Sequence, residues 1–397
     1  MKKKLLTVGL LVGIILSVTA CSSAGKHYKA GREYFQEGKY EEAKASFEAA
    51  ITENSNRADY YIDYGLTLIA LGMYEEALEQ FDQVYMDKDI MVVKENNKRV
   101  LRGRGIAYYE LKQYDKAIEQ FEGALDINEL SEMNLDILYY MGNSLMIGGD
   151  YDKAVDTYTT ILSIDKNNVT AYNSRAYCYR NLGDYEKSIA DYDAAISINA
   201  AEFDSYLGKY HMLMETGKES EAEQVLALAA KIEAKTDEDR YNLAKICFFQ
   251  KNYDKAQTML NESISKGFLE AYYYIGEINR IQKDYPKAIY NYEAYIKEGK
   301  PTNPGVYNQI ASCLIKSGDY NKAIEYLETG IAYQHDGYMQ TLKKNEIIAY
   351  ESLGDFDTAM EKMTAYLKSY PKDSEAVREA EFIKTRIMQP EEVESEE

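Results

Sequence analysis

The sequence predicts an all-α protein: a stack of about ten helix pairs closed by one further helix. Three observations carry this. A short phrase, Gly149-Asp150-Tyr151-Asp152-Lys153-Ala154, returns in varied form from one end of the chain to the other. Its copies lie 32 to 40 residues apart. Within each copy apolar residues recur every three or four positions, which is the helical period and not the alternation of a strand. A unit of this length cannot bury its apolar face alone, so neighbouring units must stack.

The small residue that ends the phrase marks each copy: Ala43, Ala77, Ala117, Ala154, Ser188, Ala222, Ala256, Ala288, Ala323 and Ala359. Twelve residues earlier most copies carry a second small residue, as in Gly31, Gly65, Gly105, Gly142, Ala176, Ala244, Gly276 and Ala311. Four residues later stands a large one, among them Phe47, Phe81, Phe121, Tyr158, Tyr192 and Tyr292. The pattern reads as helix, tight turn, helix. Glycine in the turn permits a left-handed exit from the first helix. Asp150, Asp184, Asp284, Asp319 and Asp355, with Asn252 as a sixth, are placed to cap the second. Pro286 falls in the first turn of its helix, where a missing N–H is tolerated. Small residues at two fixed points let paired helices approach closely, and the large ones fill the space between.

This order of small, aromatic and large residues at this period resembles the tetratricopeptide repeat. The resemblance implies a right-handed superhelical solenoid of about ten helix-turn-helix repeats over residues 26–373. There are departures. Trp is absent throughout, with Tyr61, Tyr172, Tyr206, Tyr272 and Tyr307 where the family has its early Trp, and the closing Pro survives only as Pro371. The sixth copy has Tyr210 at the small position and Glu219 at the aromatic one. Extra residues around Met86 to Asn97 predict a less regular stack there.

The two ends read differently. Lys2, Lys3 and Lys4 precede a mostly apolar run from Leu5 to Val18, the pattern of an export signal. Val18-Thr19-Ala20-Cys21 resembles the lipobox of bacterial lipoproteins. That resemblance implies a signal peptide cleaved after residue 20, diacylglyceryl and palmitate-type acyl chains on Cys21, and a tether over residues 21–25. The chain is then expected on the extracytoplasmic side of the cell membrane, held by its lipid; an ordinary secretory signal or an uncleaved anchor is the alternative. At the other end, residues 374–388 keep helical spacing and read as a capping helix, and residues 389–397 as an acidic solvated tail.

Chemistry is sparse. A formal net charge of −20 argues against a nucleic-acid partner. His27, His211 and His335 are isolated in sequence, and no phosphate loop, nucleophile elbow or metal-ligand spacing is visible. No catalytic residue, metal or cofactor is therefore assigned, and the chain is not expected to be an enzyme. Cys178, Cys247 and Cys313 fall late in the first helices, where other copies carry apolar residues. They read as buried thiols acting as small hydrophobes.

The 39 tyrosines exceed what the repeat itself uses. In the family this chain resembles, the first helix of each pair lines the concave face. Contacts are offered eighteen, fifteen, eleven, eight and seven residues before the marker. Those offsets nominate Arg99, Arg102, Tyr109, Tyr139, Asn143, Asn173, Tyr177, Arg180, Tyr241 and Lys245 as contact residues for a protein or extended peptide. Asn would bond a peptide backbone, Arg would fork onto a carboxylate and Tyr would supply rigid amphipathic area. The alternative is that such residues simply occupy exposed helix faces. The expected function is a noncatalytic, membrane-anchored binding scaffold of the bacterial cell envelope. The alternative function is capture of a glycan or oligopeptide for uptake or sensing. On this reading, replacing Tyr139 and Asn143 by Ala weakens binding and leaves the melting curve nearly unchanged.

Overall fold

The computed structural model describes residues 22–301, 304–334 and 336–387. The signal segment, Cys21, His335, Met388 and the acidic tail lie outside the described residues. Among those described there are 21 α-helices and no strand. The chain divides into two compact units, residues 1–222 and 223–397. The first contains α1 (Ser23–Gln36), α2 (Tyr40–Glu53), α3 (Ala58–Leu71), α4 (Tyr74–Asp82), α5 (Met91–Glu110), α6 (Tyr114–Leu125), α7 (Asn134–Gly148), α8 (Tyr151–Ile164), α9 (Val169–Asn181), α10 (Tyr185–Ile198) and α11 (Phe203–Glu215). Helix α12 (Glu219–Ala229) runs through the division. The second contains α13 (Asp237–Phe249), α14 (Tyr253–Ser265), α15 (Ala271–Ile281), α16 (Tyr285–Ala294), α17 (Gly305–Ser317), α18 (Tyr320–Ala332), α19 (Asp336–Leu353), α20 (Phe356–Ser369) and α21 (Ser374–Ile387). In each unit every helix packs on the next in sequence, so the core is a chain of small clusters.

The recurring phrase is the turn. Its first residue is left-handed in every copy: Gly149 has φ +84° and Gly318 +82°, while Lys112, Lys251 and Lys283 hold +61° to +63° without a glycine. The next N–H then reaches back to a carbonyl of the first helix, as from Asp150 to Leu145 at 3.0 Å and from Gln113 to Tyr108 at 2.8 Å. Asp150, Asp184, Asp284 and Asp319 each accept the N–H three residues on at 3.3 Å, and Asp355 does so at 3.1 Å. Asn252 makes no such bond, although its backbone is the same as theirs. The backbone bond alone sets the turn, so a side-chain cap is optional there.

Behind each turn the small and large positions interlock. A Cβ built on Gly65 would lie 2.6 Å from the Phe81 ring, and one on Gly105 2.4 Å from Phe121. Phe81 is held from the other side by Gly103, which faces the same ring at 2.4 Å. Gly103 thus has a packing role of its own beside Gly105. In the sixth copy Tyr210 takes the small position, and the close approach moves to Gly208 against Tyr192 of the fifth.

The extra residues after Ala77 shorten α4 and lengthen α5 at its start. Asn97 fastens the intervening loop, accepting from the Met86 N–H at 3.3 Å and donating to the Met86 carbonyl at 2.6 Å. Lys98 beside it is fully buried; its Nζ donates to the Ile127 carbonyl at 2.7 Å and to Asn134 at 2.6 Å. Burial holds that ammonium below its ordinary pKa. At the far end α21 lays Ala376, Ala380 and Ile383 against Met363 and Tyr366, covering the last helix pair.

Candidate binding surface

The fifteenth position before the marker was the main source of nominated contacts, and the structure shows what occupies it. Tyr28 donates to Asp63 at 2.7 Å, and Arg102 pairs with Asp136 at 2.5 Å. The Tyr139 hydroxyl donates to Asn168, and Asn173 accepts from Ser205 at 2.8 Å. In the second unit Tyr241 donates to Glu270 at 2.8 Å, Asn308 accepts from Asn345 at 2.6 Å, and Lys344 reaches Asp373 at 2.9 Å. In each case the partner is one helix pair further along. This position forms a row of rungs between successive repeats.

The remaining nominated residues are also engaged. Arg99 pairs with Asp63 at 2.6 Å and Arg180 with Glu215, so the three nominated arginines are each met by a carboxylate. Arg102 and Tyr241 are buried. Asn143 accepts the hydroxyl of the buried Tyr158 at 2.9 Å. Tyr109 is half-buried, edge-on to Tyr114 and Tyr140. The Lys245 ammonium sits 4.9 Å from the centre of the Tyr241 ring, and that ring stacks on Phe268 at 5.1 Å. Burial, followed by the Glu270 charge, raises the Tyr241 pKa, and burial does the same for Tyr139, so both stay neutral phenols at physiological pH. Tyr177 differs: it is 41% exposed and touches only the edge of Tyr151 among the ring contacts.

Two exposed apolar residues that were not nominated accompany Tyr177 on the neighbouring first helices. Ile147 is 49% exposed and Met214 40%, at the seventh and eighth positions before their markers. The three lie late in α7, α9 and α11, and the Arg180–Glu215 pair ties α9 to α11 directly beside Met214. Three large apolar side chains thus stand uncovered on successive first helices of the first unit, and the Arg180–Glu215 pair joins the second of those helices to the third. The signal was available, because Ile147 stands at the offset where Asn181 and Glu215 are polar, and Met146 and Met214 at the offset of Arg180. In the second unit the same offsets hold Phe248, which packs on Tyr274 at 5.3 Å, within a cluster that includes Tyr273 and Tyr295. There the aromatics largely cover one another.

Reactive chemistry has little support. Burial pushes the Cys178 thiol up to about 12 and Cys313 up to about 11, and raises Cys247; all three are buried and free. These thiols are protonated near neutrality and poor nucleophiles. Among the described residues no group of three or more His, Cys, Asp or Glu could hold a metal ion, and no helix is long and apolar enough to cross a membrane. One cavity of about 340 Å³ opens in the second unit, lined by Glu328, Ile331, Lys343, Glu346, Lys362 and Tyr366. Lys362 and Glu346 are paired within it at 2.6 Å.

Known proteins agree with this architecture. Models of the tetratricopeptide repeat match residues 28–89, 99–131, 169–200, 241–304, 280–345 and 347–373, well over half of the chain. The BBSome complex member BBS4 of Bos taurus is 29% identical over 147 residues, 37% of this chain and 28% of that protein. The Hsp70-Hsp90 organizing protein of Triticum aestivum is 24% identical over 190 residues, 41% of this chain and 33% of its own. The chain thus spans about a third or less of the length of these curated relatives. Among solved structures, a tetratricopeptide repeat protein from Parabacteroides merdae ATCC 43184 aligns with a TM-score of 0.48 at 18% identity, over 64% of this chain and 98% of that one. YrrB, described as a TPR protein with an unusual peptide-binding site, aligns with a TM-score of 0.40 at 21% identity, over 48% and 93%. The repeat models, the helix pairs and the interlocking small and large positions together place the chain in the tetratricopeptide repeat family.

Proposed function

We propose that this protein is a noncatalytic scaffold, anchored to the cell membrane through a lipid on Cys21, that holds another protein or an extended peptide in the bacterial envelope. The observation that carries the binding reading is the row Ile147, Tyr177 and Met214. Exposed apolar side chains of this size on consecutive first helices lose water when a partner covers them, which favours association. The neighbouring polar groups are already satisfied, so a partner that seats there strips little unpaired charge of its water. Aromatic and Met side chains are enriched where interfaces concentrate their energy. Family membership supports the reading, and one relative is named as an organizing protein for two others.

The test compares the native lipidated chain with the variant Ile147→Ser/Tyr177→Ala/Met214→Ser. Retention of a defined envelope protein by the native chain, lost in the variant at unchanged melting temperature, is the expected result. Equal retention by both removes the row as the contact surface.

A further inference from the structure

The most concentrated exposed apolar surface lies elsewhere, at the start of α5. Ile90, Met91 and Val92 are 58%, 64% and 62% exposed, and Tyr85 and Met86 just before them are also exposed. The repeat does not need these residues, since α5 begins seven residues earlier in register than α3. At 1.5 Å per residue this adds about 10 Å to the helix. Asn97 pins the loop back onto it through Met86, so the apolar tip is a built feature.

The direction of that tip follows from one carboxylate. Asp63 of α3 accepts Tyr28 of α1 on one oxygen at 2.7 Å and Arg99 of α5 on the other at 2.6 Å. The three helices are joined by successive antiparallel partners, so they run the same way, and this bridge holds them level. Their starts therefore share one edge of the first unit. Ser22, the first described residue, caps α1 on that edge. Cys21 precedes it directly in sequence. In register α5 starts six residues before α1 does, so its tip stands about 9 Å further out than Ser23. Two interhelical steps of roughly 10 Å each separate them laterally.

We propose that Ile90, Met91 and Val92 enter the bilayer interface beside the lipid on Cys21 and fix the orientation of the first repeats on the membrane. This rests on the lipoprotein reading. The projection matches the roughly 5–10 Å to which interfacial apolar faces are buried. Local charge suits an uncharged rather than an anionic lipid surface: Asp87, Asp89 and Glu129 outnumber Lys88 and Lys94, and Lys94 lies 2.5 Å from Asp89 and 3.9 Å from Glu129. Tyr85 stays behind the tip, its ring 4.9 Å from the Arg104 guanidinium.

The experiment uses the full chain, with acylation of Cys21 checked by mass, reconstituted into phosphatidylcholine vesicles. An environment-sensitive fluorophore is placed on Met91→Cys, with Glu186→Cys at the opposite edge as reference; the buried native cysteines stay unlabelled. Blue-shifted emission quenched by brominated lipid at residue 91, and water-like emission at residue 186, is the expected result. The variant Ile90→Ser/Met91→Ser/Val92→Ser should leave vesicles about tenfold faster, by the apolar surface it no longer buries. Water-like emission at 91 in acylated, vesicle-bound protein overturns the inference and leaves the lipid anchor standing. An unacylated Cys21 with no vesicle association removes both. A tip that is dry without vesicles, in a sample that light scattering shows to be dimeric, also overturns it, since a second copy would then be the occupant.

Discussion

The Tyr139 hydroxyl and the Ala171 N–H, in the first turn of α9, meet on a single oxygen, the Oδ1 of Asn168. A side chain nominated as a ligand contact is thus part of the cap that starts the next repeat. Losing the hydroxyl removes one hydrogen bond, and Tyr139→Phe is expected to cost about 1 kcal/mol. Asn143→Ala leaves the buried Tyr158 hydroxyl without its acceptor, at about 1–3 kcal/mol. The double variant Tyr139→Ala/Asn143→Ala should therefore melt clearly earlier than the native chain. Calorimetry checks this, and an unchanged melting curve would return both residues to the binding face.

The close approaches make a second prediction. Gly105→Ala adds a methyl where the Phe121 ring already lies 2.4 Å away, and Phe121 is fully buried. Overpacking of this kind costs about 1–3 kcal/mol. Gly105→Ala/Phe121→Leu should recover part of it, which denaturant titration of the single and double variants can measure.

Turn chemistry makes a third. Lys283 holds φ +63° where seven other copies of the turn have glycine. An L-residue there carries roughly 1–2 kcal/mol of strain. Glycine relieves the strain but adds freedom to the unfolded chain. Lys283→Gly is expected to stabilise by up to about 1 kcal/mol and Gly149→Ala to destabilise by a similar amount. Opposite signs in paired thermal melts are the check.

These variants also mark how far the sequence could be read. Small and large residues sixteen positions apart reveal each other because their sizes must match, so the helix pairs and their contacts were legible. The role of the fifteenth position was not. A polar residue on a helix face looks the same whether its partner is a ligand or the next repeat. The distinguishing signal is a complementary residue about one period ahead: Asp63 for Tyr28, Asp136 for Arg102, Glu270 for Tyr241. At the seventh and eighth offsets only Tyr109 and Arg180 were nominated, and Ile147 and Met214 were passed over. The asparagine at 252 failed as a cap for a different reason, since the backbone alone completes that turn.

Acidity should act on the last repeat. Burial, and then the neighbouring Glu379 charge, push the Glu351 carboxyl up to about 7, and one of its oxygens is buried without a partner among the described residues. Folding thus favours its protonated form. That contribution is fully present below the ordinary glutamate pKa near 4.5 and is lost as pH rises through about 7. The melting temperature of the second unit should fall over that window, and Glu351→Gln should flatten the fall. An identical profile in the variant would contradict the assignment.

On the proposed function, a macromolecular partner seats on Ile147, Tyr177 and Met214 of α7, α9 and α11. Site-specific photocrosslinking in the native cells tests this, with a benzophenone side chain at position 177 and, for comparison, at the more exposed Ile164 on α8. One defined protein adduct is expected from position 177, absent from position 164 and lost on Ile147→Ser/Met214→Ser. Adducts from position 164 alone, or equal adducts from both, would contradict it.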